Sequence, residues 1–105
     1  MSQVKEHDRI TRVNDLRTVL SSRPGRRFYW RTMQDSGVFA STFTGDALTS
    51  AFKEGRRAQG LDLMQEAQKV APMKYLLMLE EAAQDAREAA LLLEAENKAA
   101  LAAEE

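Results

Sequence analysis

Apolar residues recur along most of this chain at intervals of three and four, the spacing that places them on one face of an α-helix. The first such stretch predicts a short helix near residues 13–21, with apolar positions at Val13, Leu16, Val19 and Leu20. Residues 1–12 before this helix are mostly polar, and we expect them to form a flexible tail.

The second stretch predicts a helix from Pro24 to Ser36, with an apolar arc formed by Phe28, Tyr29, Trp30 and Met33. Pro24 suits the first turn of a helix, because its missing N–H would have no helical partner there. Gly37 can end the helix in a left-handed cap, and we expect Val38 or Phe39 to fold back against Met33.

The connection after this helix contains two phenylalanines, Phe39 and Phe43, and we expect both rings to be buried. A third helix should follow directly. We expect Thr44 to be its N-cap, and Asp46 to lie near the positive end of the helix dipole.

The third helix contains two glycines, Gly55 and Gly60, and its apolar pattern continues to Ala71 and Pro72, which should end it. Each glycine in a helix interior costs about 1 kcal/mol relative to alanine. A chain tolerates that cost where another backbone must come close. We therefore expect the aromatic helix to cross the third helix at Gly55.

The final stretch, from Pro72 to about Ala102, has the strongest helical pattern in the chain. Residues within it recur at intervals of 3, 4, 3, 4, 3, 4 and 3, the heptad spacing of a coiled coil. We call this set the seam; it consists of Leu76, Leu79, Ala83, Ala86, Ala90, Leu93, Asn97 and Ala100. The alternative is a single Ala/Glu-rich helix stabilised by helix propensity and charged pairs.

These elements predict an all-α fold, a small four-helix module with a long C-terminal helix that projects beyond the core. At 105 residues, the chain has room for one compact domain at most. We divide it into a flexible N-terminal tail at 1–12, a helical domain at 13–82 and a C-terminal helical extension at 83–105.

Composition argues against several kinds of chemical site. The chain has no cysteine, so disulfides, thiolate nucleophiles and Cys-based metal sites are excluded. The single histidine, His7, lies in the polar tail and offers no frame for Ser-His-Asp catalysis. Glu80, Glu81 and Asp85 could hold a hard cation, but no loop supplies further oxygen ligands, so solvated acids are favoured. We expect no enzymatic activity, no metal and no cofactor.

The chain also lacks an apolar run of the roughly 18 residues needed to span a bilayer, and its N-terminus lacks the apolar segment of a signal peptide. We therefore expect an intracellular protein without a membrane span.

The net charge of −1 conceals an uneven distribution along the chain. Residues 1–57 carry eleven Lys and Arg against six acids, a net charge of +5. Residues 58–105 carry four against ten, a net charge of −6. Such a division indicates a basic surface for an anionic partner, head-to-tail attraction between chains, or only an unevenly charged solvated surface.

Two basic clusters are candidate contacts to an anionic partner: Arg26, Arg27, Arg31, Lys53, Arg56 and Arg57. Guanidinium groups bind phosphate and carboxylate in a bidentate manner, and the nearby Tyr29 and Trp30 could stack on bases. However, the pI of about 5.9 is low for a dedicated nucleic-acid-binding protein. Pairing within the chain explains the clusters equally well, with acids such as Asp35, Asp46, Glu54 or Asp62.

Five blocks occur in order between residues 15 and 82: RRFYWR at 26–31, GVF at 37–39, FTG at 43–45, AFKEGRR at 51–57 with Gly60-Leu61, and YLLMLEEA at 75–82. Together these blocks resemble a family of small tailed-phage (podovirus) proteins, best known as a short domain in a Bordetella short-tailed phage and its relatives. The resemblance implies a product encoded among virion-structure genes, near those of the portal and capsid. It implies no catalytic residues.

We therefore expect a non-enzymatic phage virion-associated or head-assembly/ejection protein that acts through protein–protein contacts. Its expected partners are other phage structural proteins and further copies of itself, joined through the C-terminal helix. The alternative is a small nucleic-acid-binding or regulatory phage protein that uses the Arg clusters. Synthesis would occur in the host cytoplasm, with the virion as a further location.

Overall fold

The structure, a computed structural model, describes residues 2–40 and 45–104, which form four α-helices and no strand. These helices are α1 (Gln3–Leu20), α2 (Arg23–Asp35), α3 (Ala47–Val70) and α4 (Pro72–Glu104). The predicted all-α fold with a long C-terminal helix is confirmed.

Helix α1 begins at Gln3, so the predicted start near residue 13 is wrong and most of the expected tail lies in this helix. The Ser2 side chain caps it by accepting a hydrogen bond from a first-turn backbone N–H at 3.2 Å. Glu6 and Arg9 form an ion pair at 2.6 Å on the exposed face. Caps and charged pairs can stabilise a polar helix. Such a helix has no apolar periodicity, so its start could not be recognised from the spacing of apolar residues.

Helix α2 has the ends that the sequence predicts. The Ser22 hydroxyl caps its start, and Pro24 lies in the first turn. Beyond its end, Gly37 adopts φ +81° and donates a backbone hydrogen bond to Gln34 at 3.0 Å. This left-handed turn directs the buried Val38 side chain back into the core, as expected.

The connection between α2 and α3 differs from expectation. Phe39 is 55% exposed and lies against Trp30, with ring centroids 5.2 Å apart, so its predicted burial is wrong. Val38, the smaller of the two residues, is buried in the core, whereas the Phe39 ring packs against Trp30 at the edge of the core. The expected burial of Phe43 falls outside the described residues.

The N-cap of α3 is Asp46, so the prediction of Thr44 as the N-cap is wrong. The Asp46 carboxylate accepts hydrogen bonds from both the hydroxyl and the backbone N–H of Thr49, and these bonds lower the pKa of Asp46. The other end of α3 is where the sequence places it, since only Ala71 separates α3 from Pro72 at the start of α4.

The core is small, and α2 lies at its centre, packed against each of the other three helices. Its buried apolar residues come from all four helices and the α2–α3 connection: Leu16, Leu20, Tyr29, Met33, Val38, Ala67, Tyr75 and Met78. The first half of α3 extends away from this core, and Leu48 there is 83% exposed. Residues 86–104 of α4 are all exposed, which confirms the predicted projection.

The two projecting segments make the molecule extended. Its radius of gyration is 18.8 Å, against about 13 Å for a compact domain of this length. Its accessible surface is 8048 Å², whereas a compact monomer of 11.8 kDa exposes about 5,900 Å². The chain thus exposes about 2,100 Å² beyond the compact expectation.

The close crossing of α2 and α3 occurs at Gly60, so the prediction that places it at Gly55 is wrong. A Cβ atom on Gly60 would lie 1.7 Å from Ser36 Oγ and 2.6 Å from Ser36 Cβ. A Cβ atom on Gly55 would meet nothing within 4 Å, because this part of α3 has already left the core.

The two glycines should therefore respond oppositely to alanine. We expect Gly60→Ala to destabilise the protein by about 1–3 kcal/mol, because the Ser36 segment must move to admit the methyl group. We expect Gly55→Ala to stabilise it by about 0.5–1 kcal/mol through better helix propensity. Urea unfolding of both variants beside the wild type measures these changes, and equal responses would contradict this crossing point.

Candidate functional site

The first basic cluster is centred on Arg26, whose side chain is buried although it carries a charge. Its Nε and Nη2 atoms donate to the two oxygens of Glu81 at 2.6 and 3.1 Å, and its Nη1 atom donates to the Leu20 carbonyl at 3.0 Å. The guanidinium therefore joins the end of α1, the start of α2 and the middle of α4. These interactions within the chain engage Arg26, so it is not an exposed contact for an anionic partner.

Arg23 and Arg27 extend this cluster to the protein surface. Arg27 Nε donates to Asp85 at 3.2 Å, and Arg23 Nη2 donates to the other oxygen of Asp85 at 3.1 Å. A longer ion pair of 3.6 Å joins Arg23 Nε to Glu81. Three arginines at the start of α2 thus face two carboxylates of α4.

The network shifts the pKa values of its members. Hydrogen bonding from Arg26 lowers the pKa of Glu81, and the same bond raises the pKa of Arg26; burial opposes both shifts. Hydrogen bonding from Arg27 is the largest cause that lowers the pKa of Asp85. The two acids remain charged at neutral pH and serve as partners of arginine. In the described part of the chain, no group of three or more residues could hold a metal ion.

The second basic cluster lies on the other side of α2. Arg56 donates to the backbone carbonyl of Asp35 at the end of α2, and Arg57 lies 3.7 Å from Glu54 within α3. Lys53 is exposed. Arg27 and Arg31 line a groove between α2 and α4, whereas Arg56 lines one between α2 and α3. The two clusters therefore do not form one shared basic face.

Tyr29, which the sequence places beside the arginines, belongs to the core. Its hydroxyl donates to the Leu63 carbonyl of α3, and its ring is buried. Burial, with a smaller contribution from Glu66, raises the pKa of Tyr29 to about 12. Its ring is not available to stack on a base.

The structure places the seam along the outside of α4. Leu79 is partly buried against the core, while Leu76 is exposed. From Ala83 onward every seam residue is exposed to solvent. Pairing along the seam stays a prediction.

A feature that the sequence pattern does not indicate is the α2–α4 groove. It is lined by Arg27, Trp30, Arg31, Gln34, Ala82, Asp85, Ala86, Glu88, Ala89 and Leu92. The α2 residues are spaced i, i+3, i+4 and i+7, so they form one face of that helix. Apolar periodicity assigns Trp30 to the core, whereas the structure leaves it partly exposed in this groove.

Residues 16–80 match the family model described as Bbp19-like phage protein. The matched span contains all of α2 and α3, with the end of α1 and the start of α4. Neither a curated protein nor a solved structure matches the chain. None of the helices in the described ranges is long and apolar enough to cross a membrane.

Removing the Glu81 carboxylate should destabilise the protein strongly. We expect Glu81→Ala to cost about 3 kcal/mol, because it leaves the buried Arg26 charge without its partner. Glu80→Ala is the matched control: Glu80 is exposed and forms no ion pair within the described ranges, so its loss should cost less than about 0.5 kcal/mol. Urea unfolding measures both, and similar losses would contradict the role of the pair.

The same network should make stability depend on pH. The pKa values of Glu81 and Asp85 are lower in the folded chain than their ordinary values. Their stabilisation is therefore complete above the ordinary carboxylate values of about 4 and is lost as the pH falls through the lowered ones. Urea unfolding between neutral and acidic pH should show a steeper loss for the wild type than for Glu81→Gln/Asp85→Asn. Parallel curves would contradict this expectation.

Proposed function

Because this chain belongs to the Bbp19-like phage protein family, we propose that it is a non-enzymatic phage virion-associated or head-assembly/ejection protein. It acts through protein–protein contacts, with other phage structural proteins and further copies of itself as partners. It is made in the host cytoplasm and is carried into the virion.

The observation that carries this proposal is the surface that the fold leaves uncovered. The excess of about 2,100 Å² over a compact monomer is more than the roughly 800 Å² that each partner buries in a standard protein–protein interface. The arm of α4, residues 90–104, is exposed along its whole length. This arm exposes four leucines: Leu91, Leu92, Leu93 and Leu101.

The charged side chains of the core support a structural role rather than catalysis. Each pKa shift in the Arg26 network has a hydrogen bond to an ion-pair partner as its largest cause, and the raised pKa of Tyr29 follows mainly from burial. These groups hold helices together, and their partners lie within the chain. The seam remains our candidate surface for association between copies of α4.

The nucleic-acid alternative depends on the cations that are still exposed. Arg31 makes no ion pair within the described part of the chain, and Lys53 is exposed beside Arg56 and Arg57. Salt-sensitive DNA binding that disappears in an Arg56→Ala/Arg57→Ala variant would favour this function. Absence of binding at low salt would eliminate it.

Removal of the arm should abolish association while preserving the fold. A chain ending at Ala89 keeps Glu81 and Asp85, and therefore the whole arginine network, but lacks residues 90–105. We expect the full chain to have a mass above 11.8 kDa in light scattering, and the shortened chain to have the mass of one copy.

Two measurements complete this test. Circular dichroism of the shortened chain should show that its helices remain folded, so that loss of association does not reflect unfolding. Mass spectrometry of purified virions should detect the protein. A full chain that stays monomeric, or virions that lack the protein, would overturn the corresponding part of the proposal.

A further inference from the structure

The α2–α4 groove has an apolar floor and charged walls. The partly buried ring of Trp30 forms part of the floor. Alanines of α4 lie beside it, and their small side chains leave the groove open. Arg27 on the α2 wall is paired with Asp85. Within the described residues, Arg31 on the α2 wall and Glu88 on the α4 wall form no ion pair, so the groove offers one charge of each sign.

The α4 side of this groove continues into the arm as a regular stripe. Positions on this face recur at intervals of 3, 4, 3, 4, 3 and 4, the spacing of packed helices in a coiled coil. We call them the groove stripe: Ala82, Asp85, Ala89, Leu92, Glu96, Ala99 and Ala103. Its first part faces α2, whereas the part beyond Leu92 is exposed and lies outside the groove.

The groove stripe differs from the seam. Successive residues of a helix are about 100° apart, so Leu92 of the groove stripe and Leu93 of the seam point in different directions. Leu91 belongs to neither set. Leu91, Leu92 and Leu93 are all exposed, and they lie on three different faces of the same turn of α4.

We propose that the α2–α4 groove binds the arm of α4 from a second copy of this chain, so that two copies pair reciprocally with their α4 helices antiparallel. The inference rests on the protein–protein role proposed above and specifies its partner, with the groove stripe instead of the seam as the contacting face of α4. Each copy supplies one groove and one arm. The pair is therefore closed by a two-fold axis, as most homodimers are.

The sequence of the groove stripe fits an antiparallel pair centred on Leu92. In that register Ala103 of one copy lies within one residue of the level of Ala82 in the other, and Glu96 lies within one residue of the level of Ala89. Away from the axis, each larger residue of the stripe then faces an alanine: Asp85 faces Ala99, and Glu96 faces Ala89.

The charges of the arm complement those of the groove in the same register. Glu96 of one copy comes to the level of Glu88 in the other, one residue from Ala89, in the groove that Arg31 also lines. Lys98 comes to the level of Ala86, about 3 Å along the helix axis from Glu88, a distance that a lysine side chain can span. The arm thus brings one carboxylate and one ammonium group into a groove that holds one unpaired charge of each sign, and pairing of opposite charges there would favour this partner.

Single cysteines at the three consecutive leucines test the contact directly, because the chain contains no other cysteine. We expect Leu92→Cys to form disulfide-linked dimers on mild oxidation, since its two copies lie at the two-fold axis, within the roughly 7 Å between Cα atoms that a disulfide requires. Leu91→Cys is the matched control, because Leu91 is 66% exposed and Leu92 is 61% exposed. Leu91→Cys should remain unlinked.

An exchange of charges tests the register. Arg31→Glu and Glu96→Arg, each alone, should weaken association about tenfold or more, because each places like charges against each other twice in the dimer. A mixture of the two variants should associate again, since both groove contacts then join opposite charges. Light scattering or sedimentation measures all three samples.

The outcomes separate this inference from the broader function. Linkage of Leu93→Cys without linkage of Leu92→Cys would place association on the seam; the groove contact would then be wrong and the protein–protein role would stand. Single charge variants that associate as the wild type does, or a mixture that does not recover, would also overturn the groove contact. A wild-type chain that remains monomeric would overturn self-association altogether.

Discussion

The buried guanidinium of Arg26 is the interaction on which the arrangement of the helices depends. Two of its nitrogens donate to the carboxylate of Glu81, and the third donates to the carbonyl of the buried Leu20 at the end of α1. A core of few apolar residues gives limited stabilisation, so a paired charge at its edge has a large share in fixing how the helices meet. A hydrophobic residue in place of Arg26 could fill the same volume. It could not donate hydrogen bonds to both the Glu81 carboxylate and the Leu20 carbonyl.

The small core and the extended shape have the same origin. Helix α2 is short and contacts all three other helices, so it covers only the parts of α3 and α4 that lie beside it. The first half of α3 and the arm of α4 extend beyond these contacts. Surface that α2 cannot cover is therefore available to other molecules, and the Arg26 network fixes where on α4 that surface begins.

Local signals allowed much of the fold to be predicted. Pro24, Gly37 and the Ala71-Pro72 pair mark helix ends through properties of single residues, and the structure follows them. The start of α1 could not be predicted from apolar periodicity, because a cap at Ser2 and charged pairs sustain it. The crossing at Gly60 could not be distinguished from Gly55 either, since both glycines have similar local sequence and only packing against Ser36 separates them.

The candidate site was harder to predict, because its contacts are distant in sequence. Arg26 and Glu81 are 55 positions apart, and the aromatic neighbours of Arg26 suggested a ligand surface rather than an ion pair within the chain. Trp30 has the pattern of a core residue although it lines a groove. The heptad spacing of the arm was visible in the sequence, but which of its faces meets a partner depends on where α2 lies.

The continuity of α4 has a mechanical consequence. The helix runs without interruption from Pro72 in the core to Glu104 at the end of the arm, a length of about 50 Å. Such a rod transmits rotation: a tilt of about 5° at Glu81 displaces the tip, about 35 Å away, by about 3 Å. The ion pairs between α2 and α4 are the fixed point about which the arm would tilt. A load applied to the arm would therefore reach the ion pairs of Asp85 first and then the buried Arg26.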